Sequence, residues 1–177
     1  MTKRALKIFA ALFAAMTAAE SRATVYNVET VGDMFAIFLP AYALGMTMTE
    51  EDWRGTIQFA GSFGAALGTQ MALKETVNEN RPNDMDNESF PSGHAQFAFS
   101  GATFIHKRYG IRRAAIPYLM AGFVGYSRVD SGYHYWHDVA AAAAISGLWT
   151  WLLTEDYNDV NLAPIPGGAR VGVYKRF

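Results

Sequence analysis

The stretch ESFPSGHAQFAFSGATF, Glu88 to Phe104, joins a Pro-Ser-Gly turn to a histidine and then to a run of small and apolar residues. A turn of this kind before such a run predicts the first residues of a helix. His94 would then lie at the mouth of that helix. It is either a hydrogen-bonded polar group beside a core helix or a group that takes part in chemistry. The rest of the chain is needed to decide between these two roles.

Four more apolar segments surround this one, and the periodicity of all of them is helical. They are Met34–Met48 with a kink at Pro40, Gly55–Leu73, Ala114–Tyr126 and Val139–Leu153. The helix opened by the quoted stretch ends in the basic run at residues 106–113, and a polar loop occupies Asn78–Glu88. The sequence therefore predicts an all-α bundle of five or six helices with its site at one end.

The bundle is expected to occupy residues 24–160. The remaining tail, residues 161–177, contains prolines, a Gly-Gly pair and a short Val/Tyr run. This composition breaks the helical pattern and predicts an extended or hairpin-like end.

The composition of the 177 residues restricts the class of protein. The length suits one domain, and the absence of cysteine excludes thiol chemistry and cysteine metal sites. A formal net charge of −1 argues against a nucleic-acid partner. The hydrophobic share of 51% is high for a soluble domain, but the mean hydropathy of +0.03 is low for a chain that lies mostly in a membrane.

Residues 1–23 have the pattern of an export signal. A basic start precedes the apolar segment Ile8–Ala19, and Ser21 and Ala23 place small residues where a signal peptidase cleaves. Twelve apolar residues are fewer than the roughly 20 that span a bilayer, which favours a cleaved signal over a first transmembrane helix. Either alternative directs the chain to the cell envelope.

Two locations are left open. The other apolar runs, of about 12 to 19 residues, favour a periplasmic bundle that is soluble or lies against the membrane. Six membrane spans are the alternative, with Lys107, Arg108, Arg112 and Arg113 on the cytoplasmic side and the polar loops facing outward.

Three polar clusters lie at the predicted helix ends. The first is Lys74 with Arg81-Pro82, the second is Pro91 to His94, and the third runs from Ser127-Arg128 through His134 to Asp138. The segment Gly55–Leu73 ends at the first cluster, and the quoted stretch begins at the second. The segment Ala114–Tyr126 ends at the start of the third cluster, and Val139–Leu153 begins at its end. An antiparallel bundle therefore gathers all three clusters at one end.

The gathered residues suit a tetrahedral oxyanion. Lys74, Arg81 and Arg128 bring three cations together, and guanidinium groups match its oxygens. Ser92 and Gly93 stand at a helix start, where free N–H groups attract anions, and Ser92 is also expected to cap that helix. Phosphate fits this set better than carboxylate or sulfate.

Two histidines could supply the chemistry. His134 and Asp138 are four apart, so on a helix they would share a face, and the carboxylate could orient the ring. His94 could give a proton to a leaving oxygen. No carboxylate cluster suited to Mg²⁺ or Zn²⁺ is evident, so the chemistry is expected to be metal-independent.

Spacing alone leaves alternatives to this pair. Asp130 precedes His134 by four residues and His137 follows it by three. His106, beside two cations, is interpreted as a surface or interface residue with no role. Three aromatic residues are assigned to packing, with a substrate entrance as the alternative: Tyr133, Tyr135 and Trp136.

The order K-x6-R-P, P-S-G-H and S-R-x5-H-x3-D resembles the three-part signature of the type 2 phosphatidic acid phosphatase and vanadium haloperoxidase superfamily, over residues 55–150. The resemblance implies a phosphate site formed by Lys74, Arg81, Ser92, Gly93 and Arg128. It also implies His134 as the phosphohistidine, His94 as the general acid and Asp138 as the residue that orients His134. Only residues 83–90 separate the first two motifs, a gap shorter than in the family's soluble acid phosphatases.

The resemblance, with export and apolar helices, predicts a metal-independent envelope phosphatase on the periplasmic side. Its expected partner is a phosphorylated lipid or a small phosphate ester, with membrane association and no cofactor. The alternatives are a non-specific soluble periplasmic acid phosphatase, a vanadate-dependent haloperoxidase and a non-catalytic protein that binds lipid phosphates.

Overall fold

The structure of the protein is a computed structural model, which describes residues 27–157 and 160–173. Five helices and one pair of strands lie within these residues. The predicted signal peptide or first transmembrane helix, residues 1–23, lies outside the described residues, as does any sixth helix it would form.

The helices follow one another with short connections, except for one long polar loop between the second and third. They are α1 (Val28–Thr49), α2 (Trp53–Thr76), α3 (Gly93–Tyr109), α4 (Ile111–Asp130) and α5 (Trp136–Leu153). All five predicted helical segments are present, and the all-α fold class is confirmed.

α1 and α2 begin before the predicted segments because polar side chains cap them. α1 begins six residues before Met34, since the Asn27 side chain accepts a hydrogen bond from the Thr30 N–H at 2.8 Å. α2 begins directly after Asp52, whose Oδ1 accepts from the Gly55 N–H at 2.8 Å. Pro40 lies within α1 and does not end it.

α3 is the central helix and packs against the other four. Its side chains Ala98, Ala102, Phe104 and Ile105 are fully buried. Since α3 starts inside the stretch quoted above, that stretch forms the centre of the core as well as one edge of the site.

α1 and α3 cross in close contact at Gly101, where a Cβ atom would lie 2.6 Å from the backbone carbon and oxygen of Leu39. Gly101→Ala is therefore expected to destabilise the protein by about 1–3 kcal/mol, because overpacking against a backbone cannot relax by side-chain rotation. Thermal and denaturant unfolding would measure this. Gly122→Ala is the matched control, because its Cβ would meet no atom within 4 Å. It should stabilise α4 by roughly 0.5–1 kcal/mol, and a Gly101→Ala protein of equal stability would contradict the prediction.

The C-terminal tail forms an antiparallel two-stranded hairpin, with β1 (Val160–Ile165) paired to β2 (Gly168–Val173). The register joins Ile165 to Gly168, and Gly167 in the turn has φ +90°, which favours glycine. The prediction of an extended or hairpin-like tail is confirmed for the described residues.

Candidate active site

The chain alternates in direction, so α1, α3 and α5 begin at the same end of the bundle at which α2 and α4 finish. The predicted convergence of polar clusters is found there, around a cavity of about 240 Å³. Four predicted residues line it, namely Arg81, His94, Arg128 and His134. Three further residues also line it. Glu29 and Asp33 were not among the predicted site residues, and Tyr133 was assigned to packing.

His134 is held in one orientation by two neighbours. Its Nδ1 lies 2.8 Å from the carbonyl oxygen of Ser89 and 3.4 Å from Oδ2 of Asp138. A carbonyl oxygen only accepts hydrogen bonds, so Nδ1 carries the proton and Nε2 is left with its lone pair. The side chain is buried, at 5% exposure. The ring is therefore fixed in the tautomer that a nucleophile requires.

Asp138 reaches His134 by a route different from the predicted one. α5 begins at Trp136, so His134 lies before the helix, and the expectation that the two residues share a helix face is wrong. Asp138 instead caps the helix, since its Oδ2 accepts from the Tyr135 N–H at 2.9 Å. The same oxygen accepts from the Ser89 hydroxyl at 2.6 Å. The pair forms because Asp138, in the first turn of α5, reaches back past the N-cap residue Tyr135 to His134.

Ser89 is a site residue that sequence reasoning missed. It is fully buried, its carbonyl contacts His134 and its hydroxyl contacts Asp138. The loop that holds it is folded on itself, with Ser89 N–H bonded to the Glu79 carbonyl at 3.0 Å. No motif marks this serine, because its contacts lie 45 and 49 residues away in sequence.

The guanidinium groups of Arg81 and Arg128 flank one aromatic ring. Their central carbons lie 5.9 Å and 5.8 Å from the centre of the Tyr133 ring. Arg128 is almost fully buried, and Arg81 is held by Asp86 through a bond of 2.6 Å from its Nε. Tyr133 thus belongs to the wall of the cavity, which is the alternative raised for it above.

Asp33 and Glu29, on the first turns of α1, bring acidic groups to a cationic site. Asp33 Oδ1 lies 2.8 Å from Nη1 of Arg128 and 3.2 Å from Nε2 of His94. The Glu29 carbonyl accepts from Nη2 of Arg128 at 2.8 Å. Both residues were missed because the predicted helix began at Met34. An acidic residue within an otherwise apolar helix was the available signal.

The remaining phosphate-site candidates lie outside the cavity lining. The Lys74 ammonium donates to the Glu88 carbonyl at 2.6 Å. Ser92 is the residue before α3, but its side chain makes no capping bond, so the expectation that it caps the helix is wrong. Its buried hydroxyl has no hydrogen-bond partner among the described residues. Gly93 lies close to Gln70, since a Cβ there would be 2.9 Å from the amide nitrogen at the end of that flexible side chain.

The alternatives to the His134–Asp138 pair have other partners. Asp130 accepts from the Tyr126 hydroxyl at 3.0 Å, and His137 pairs with Glu79 at 2.7 Å. His106 lies in the distant part of α3 and bonds to the Tyr118 hydroxyl at 3.1 Å. Neither Asp130 nor His106 lines the cavity.

Electrostatics favour an uncharged His134. Burial lowers the pKa of its imidazole, and the cations of Arg81 and Lys74 lower it further, while Asp138 and the Ser89 carbonyl act in the opposite direction. The net effect places the pKa below the ordinary value for histidine. The ring therefore stays neutral and nucleophilic well into the acidic range.

The helical bundle carries a cationic cavity with a fixed neutral imidazole, an arrangement that can bind an oxyanion beside a nucleophile. Residues 55–161, more than half of the chain, match the family model of the PAP2 superfamily. The chain belongs to this superfamily, as its three motifs indicated.

Curated relatives lie within the same family. The chain is 29% identical over 166 residues to a lipid A 4'-phosphatase of Helicobacter pylori, which covers 84% of this chain and 83% of that protein. It is 34% identical over 96 residues to a lipid A 1-phosphatase of Porphyromonas gingivalis. That match covers 51% of this chain but only 22% of the relative, so the chain spans about a fifth of that protein.

A solved structure has the same fold. The crystal structure of Aquifex aeolicus LpxE superimposes with a TM-score of 0.54 at 20% identity, covering 83% of this chain and 92% of that one.

Proposed function

We propose that this protein is a metal-independent phosphatase of the cell envelope that hydrolyses lipid phosphates through a phosphohistidine at His134. The observation that carries the proposal is the fixed tautomer of His134, whose proton on Nδ1 is bonded to Ser89 and whose free Nε2 lone pair belongs to a ring lining the cationic cavity.

The first chemical step is a displacement at phosphorus. His134 Nε2 attacks, the bond from phosphorus to the ester oxygen breaks, and His94 gives that oxygen a proton. Arg81 and Arg128 bind the equatorial oxygens, on which negative charge builds up. Asp138 and the Ser89 carbonyl stabilise the positive charge that His134 gains.

The second step releases phosphate. His94, now neutral, takes a proton from a water molecule as that water attacks phosphorus, and the bond to His134 breaks. Inorganic phosphate leaves, and both histidines return to their starting states. Lys74, Ser92 and Gly93 complete the proposed phosphate site. The buried Ser92 hydroxyl is available to a phosphate oxygen because it has no other partner among the described residues.

A phosphorylated lipid is the proposed substrate class. The relatives from H. pylori and P. gingivalis are named for lipid A, a phosphorylated glycolipid, and the first of them matches this chain over most of its length. Lipid substrates also suit the surface of the bundle, which displays large apolar side chains on four helices: Ile37, Ile57, Met71, Ile116, Leu119, Leu148 and Leu152.

The same surface supports a bundle embedded in the membrane. The five helices contain 17 to 24 residues, or about 26–36 Å, close to the roughly 30 Å of hydrocarbon in a bilayer. Among the described residues, one helix, Val28–Thr49, is both long and apolar enough to span by composition. Basic residues 107, 108, 112 and 113 lie at the end opposite the cavity, and the preference of basic residues for the cytoplasmic side supports a site on the periplasmic side.

The test is phosphate release in EDTA from three substrates: a lipid A-type phosphate, phosphatidate and a soluble aryl phosphate, each in the same detergent. We expect kcat/KM for a lipid phosphate to exceed that for the soluble ester by at least tenfold. A His134→Ala preparation controls for contaminating phosphatases. Preference for the soluble ester, with recovery of the protein in the soluble fraction after an alkaline carbonate wash, would instead support a soluble acid phosphatase.

The pH dependence of kcat tests the state of His134. Attack requires the neutral ring, so activity is lost as pH falls through the pKa of His134 in the complex, and we expect that acid limb below pH 6.5. Arg81→Met removes a cation that lowers this pKa, so the limb should move to higher pH. The kcat profile is preferable to kcat/KM, because a phosphate monoester itself ionises near pH 6.

Arg112→Met is the matched control for this shift, because Arg112 is an exposed cation at the far end of the bundle. A wild-type acid limb at or above pH 6.5 that does not respond to Arg81→Met would show that His134 is not the titrating nucleophile.

A further inference from the structure

A second cluster of potential ligands lies behind the His134–Asp138 pair. Glu79, His137 and Asp138 each offer one ligand atom, and these atoms lie within 4.8 Å of one another. No motif indicates this cluster, because Glu79 stands 58 residues before His137. The polar loop after α2 brings Glu79 to the start of α5.

Asp138 has an oxygen without a donor in this cluster. The residue is fully buried, and its Oδ2 is occupied by Ser89 and Tyr135, but its Oδ1 has no hydrogen-bond partner within residues 27–157 and 160–173. His137 Nε2 lies 3.2 Å from Oδ1 but is already bonded to Glu79 Oε1 at 2.7 Å. One ring N–H forms one good hydrogen bond, which here goes to Glu79. The buried Oδ1 of Asp138 therefore faces the cluster without a donor of its own among the described residues.

Two of the three separations between ligand atoms are close to those around a small divalent transition metal, and the third lies within 4.8 Å. Zn²⁺ binds imidazole nitrogen and carboxylate oxygen at about 2.0–2.2 Å, and a tetrahedral arrangement then separates the ligands by about 3.4 Å. The 3.2 Å separation matches this, and the 2.7 Å one needs a small opening. The ring of His137 is oriented by stacking on Tyr135, with centroids 5.3 Å apart and planes within 9°. Its side chain is 58% exposed, which leaves a path for the ion.

We infer that Glu79, His137 and Asp138 form an inhibitory site for Zn²⁺ or a similar borderline transition metal. Imidazole and carboxylate ligands favour such metals over Mg²⁺, which prefers an octahedral shell of oxygens. The inhibitory effect rests on the proposed function. A divalent cation on Oδ1 draws negative charge from the carboxylate that stabilises His134, so attack on phosphorus becomes less favourable. The metal occupies no place in the reaction itself.

Metal binding is tested first without any substrate. The full chain, free of a polyhistidine tag, is stripped with EDTA, exchanged into chelator-free detergent buffer and titrated with ZnCl₂ by calorimetry. We expect one site per chain in the wild type and at least a tenfold loss of affinity in both Glu79→Gln and His137→Ala. Glu75→Gln, an exposed carboxylate nearby, is the matched control. Wild-type affinity in both variants, or no binding to the wild type, would overturn the site.

Inhibition is tested next with a soluble aryl phosphate at buffered free Zn²⁺. Saturating Zn²⁺ should lower the wild-type rate at least tenfold, and Mg²⁺ should have no effect. Both variants should retain wild-type activity in EDTA within about twofold and resist Zn²⁺. Equal inhibition of wild type and variants would overturn the regulatory role. A wild type that hydrolyses no ester in EDTA would contradict the proposed function, and the calorimetry would still decide the metal site.

Discussion

His134→Ala is expected to reduce phosphate release from a lipid phosphate by about 10⁴-fold or more. Removal of a nucleophile leaves only the stabilisation that the rest of the site provides, and such losses reach about 10⁶-fold in enzymes with covalent intermediates. The reason here is structural: His134 is the one imidazole whose Nδ1 is fixed by a carbonyl within the described cavity. Inorganic phosphate released under saturating substrate in EDTA measures the effect.

His137→Ala is the matched control for this change, because the ring is three residues away, exposed and outside the cavity lining. Its rate should remain within about twofold of wild type. Rapid quenching should trap an acid-labile phosphoryl group on the wild-type protein and none on His134→Ala. A His134→Ala protein that releases phosphate within tenfold of the wild-type rate would exclude the phosphohistidine mechanism.

Asp52→Ala is expected to lower the free energy of unfolding by about 3–5 kcal/mol without changing the active site. Asp52 is fully buried at the end of the bundle opposite the cavity. It accepts from Nε and Nη2 of Arg108, both at 2.7 Å, and from the Tyr109 hydroxyl at 2.9 Å. Its removal leaves the buried guanidinium of Arg108 without its carboxylate and uncaps α2, and burying an unpaired charge is costly.

Denaturant unfolding in one detergent, followed by helical circular dichroism, measures this loss. Asp52→Asn tests the charge with little change of shape and should lie between alanine and wild type. Glu155→Ala is the control, since its ion pair with Arg54 is more than half exposed and should contribute less than about 1 kcal/mol. An Asp52→Ala protein within 1 kcal/mol of wild type would show that the buried pair does not stabilise the bundle.

Much of the fold was predictable because helical periodicity is a local property. All five apolar segments became helices, and the alternating direction of short-loop helices brought the polar clusters to one end. Helix boundaries were less predictable. Asn27 and Asp52 start their helices through side-chain bonds that extend them past the apolar run. The early start of α1 is what brings Glu29 and Asp33 to the cavity.

The way His134 meets Asp138 was not predictable from spacing. A separation of four residues implied a shared helix face, but the helix begins only after His134. The contact instead depends on Asp138 capping α5 and on Ser89, which arrives from a loop 45 residues earlier. The orphaned Asp138 Oδ1 and its neighbours Glu79 and His137 belong to the same long-range arrangement.

The sequence by itself determined the all-α class, the family and the identity of the residues in three motifs, because periodicity and motif order are written along the chain. Only the tertiary structure decided which atoms meet. It placed the His134 proton on Nδ1, occupied Arg128 and His94 with Asp33, and left one oxygen of Asp138 without a donor in the part of the chain that the structure describes. These are contacts between elements distant in sequence, and their geometry depends on how helices and loops pack rather than on any local pattern.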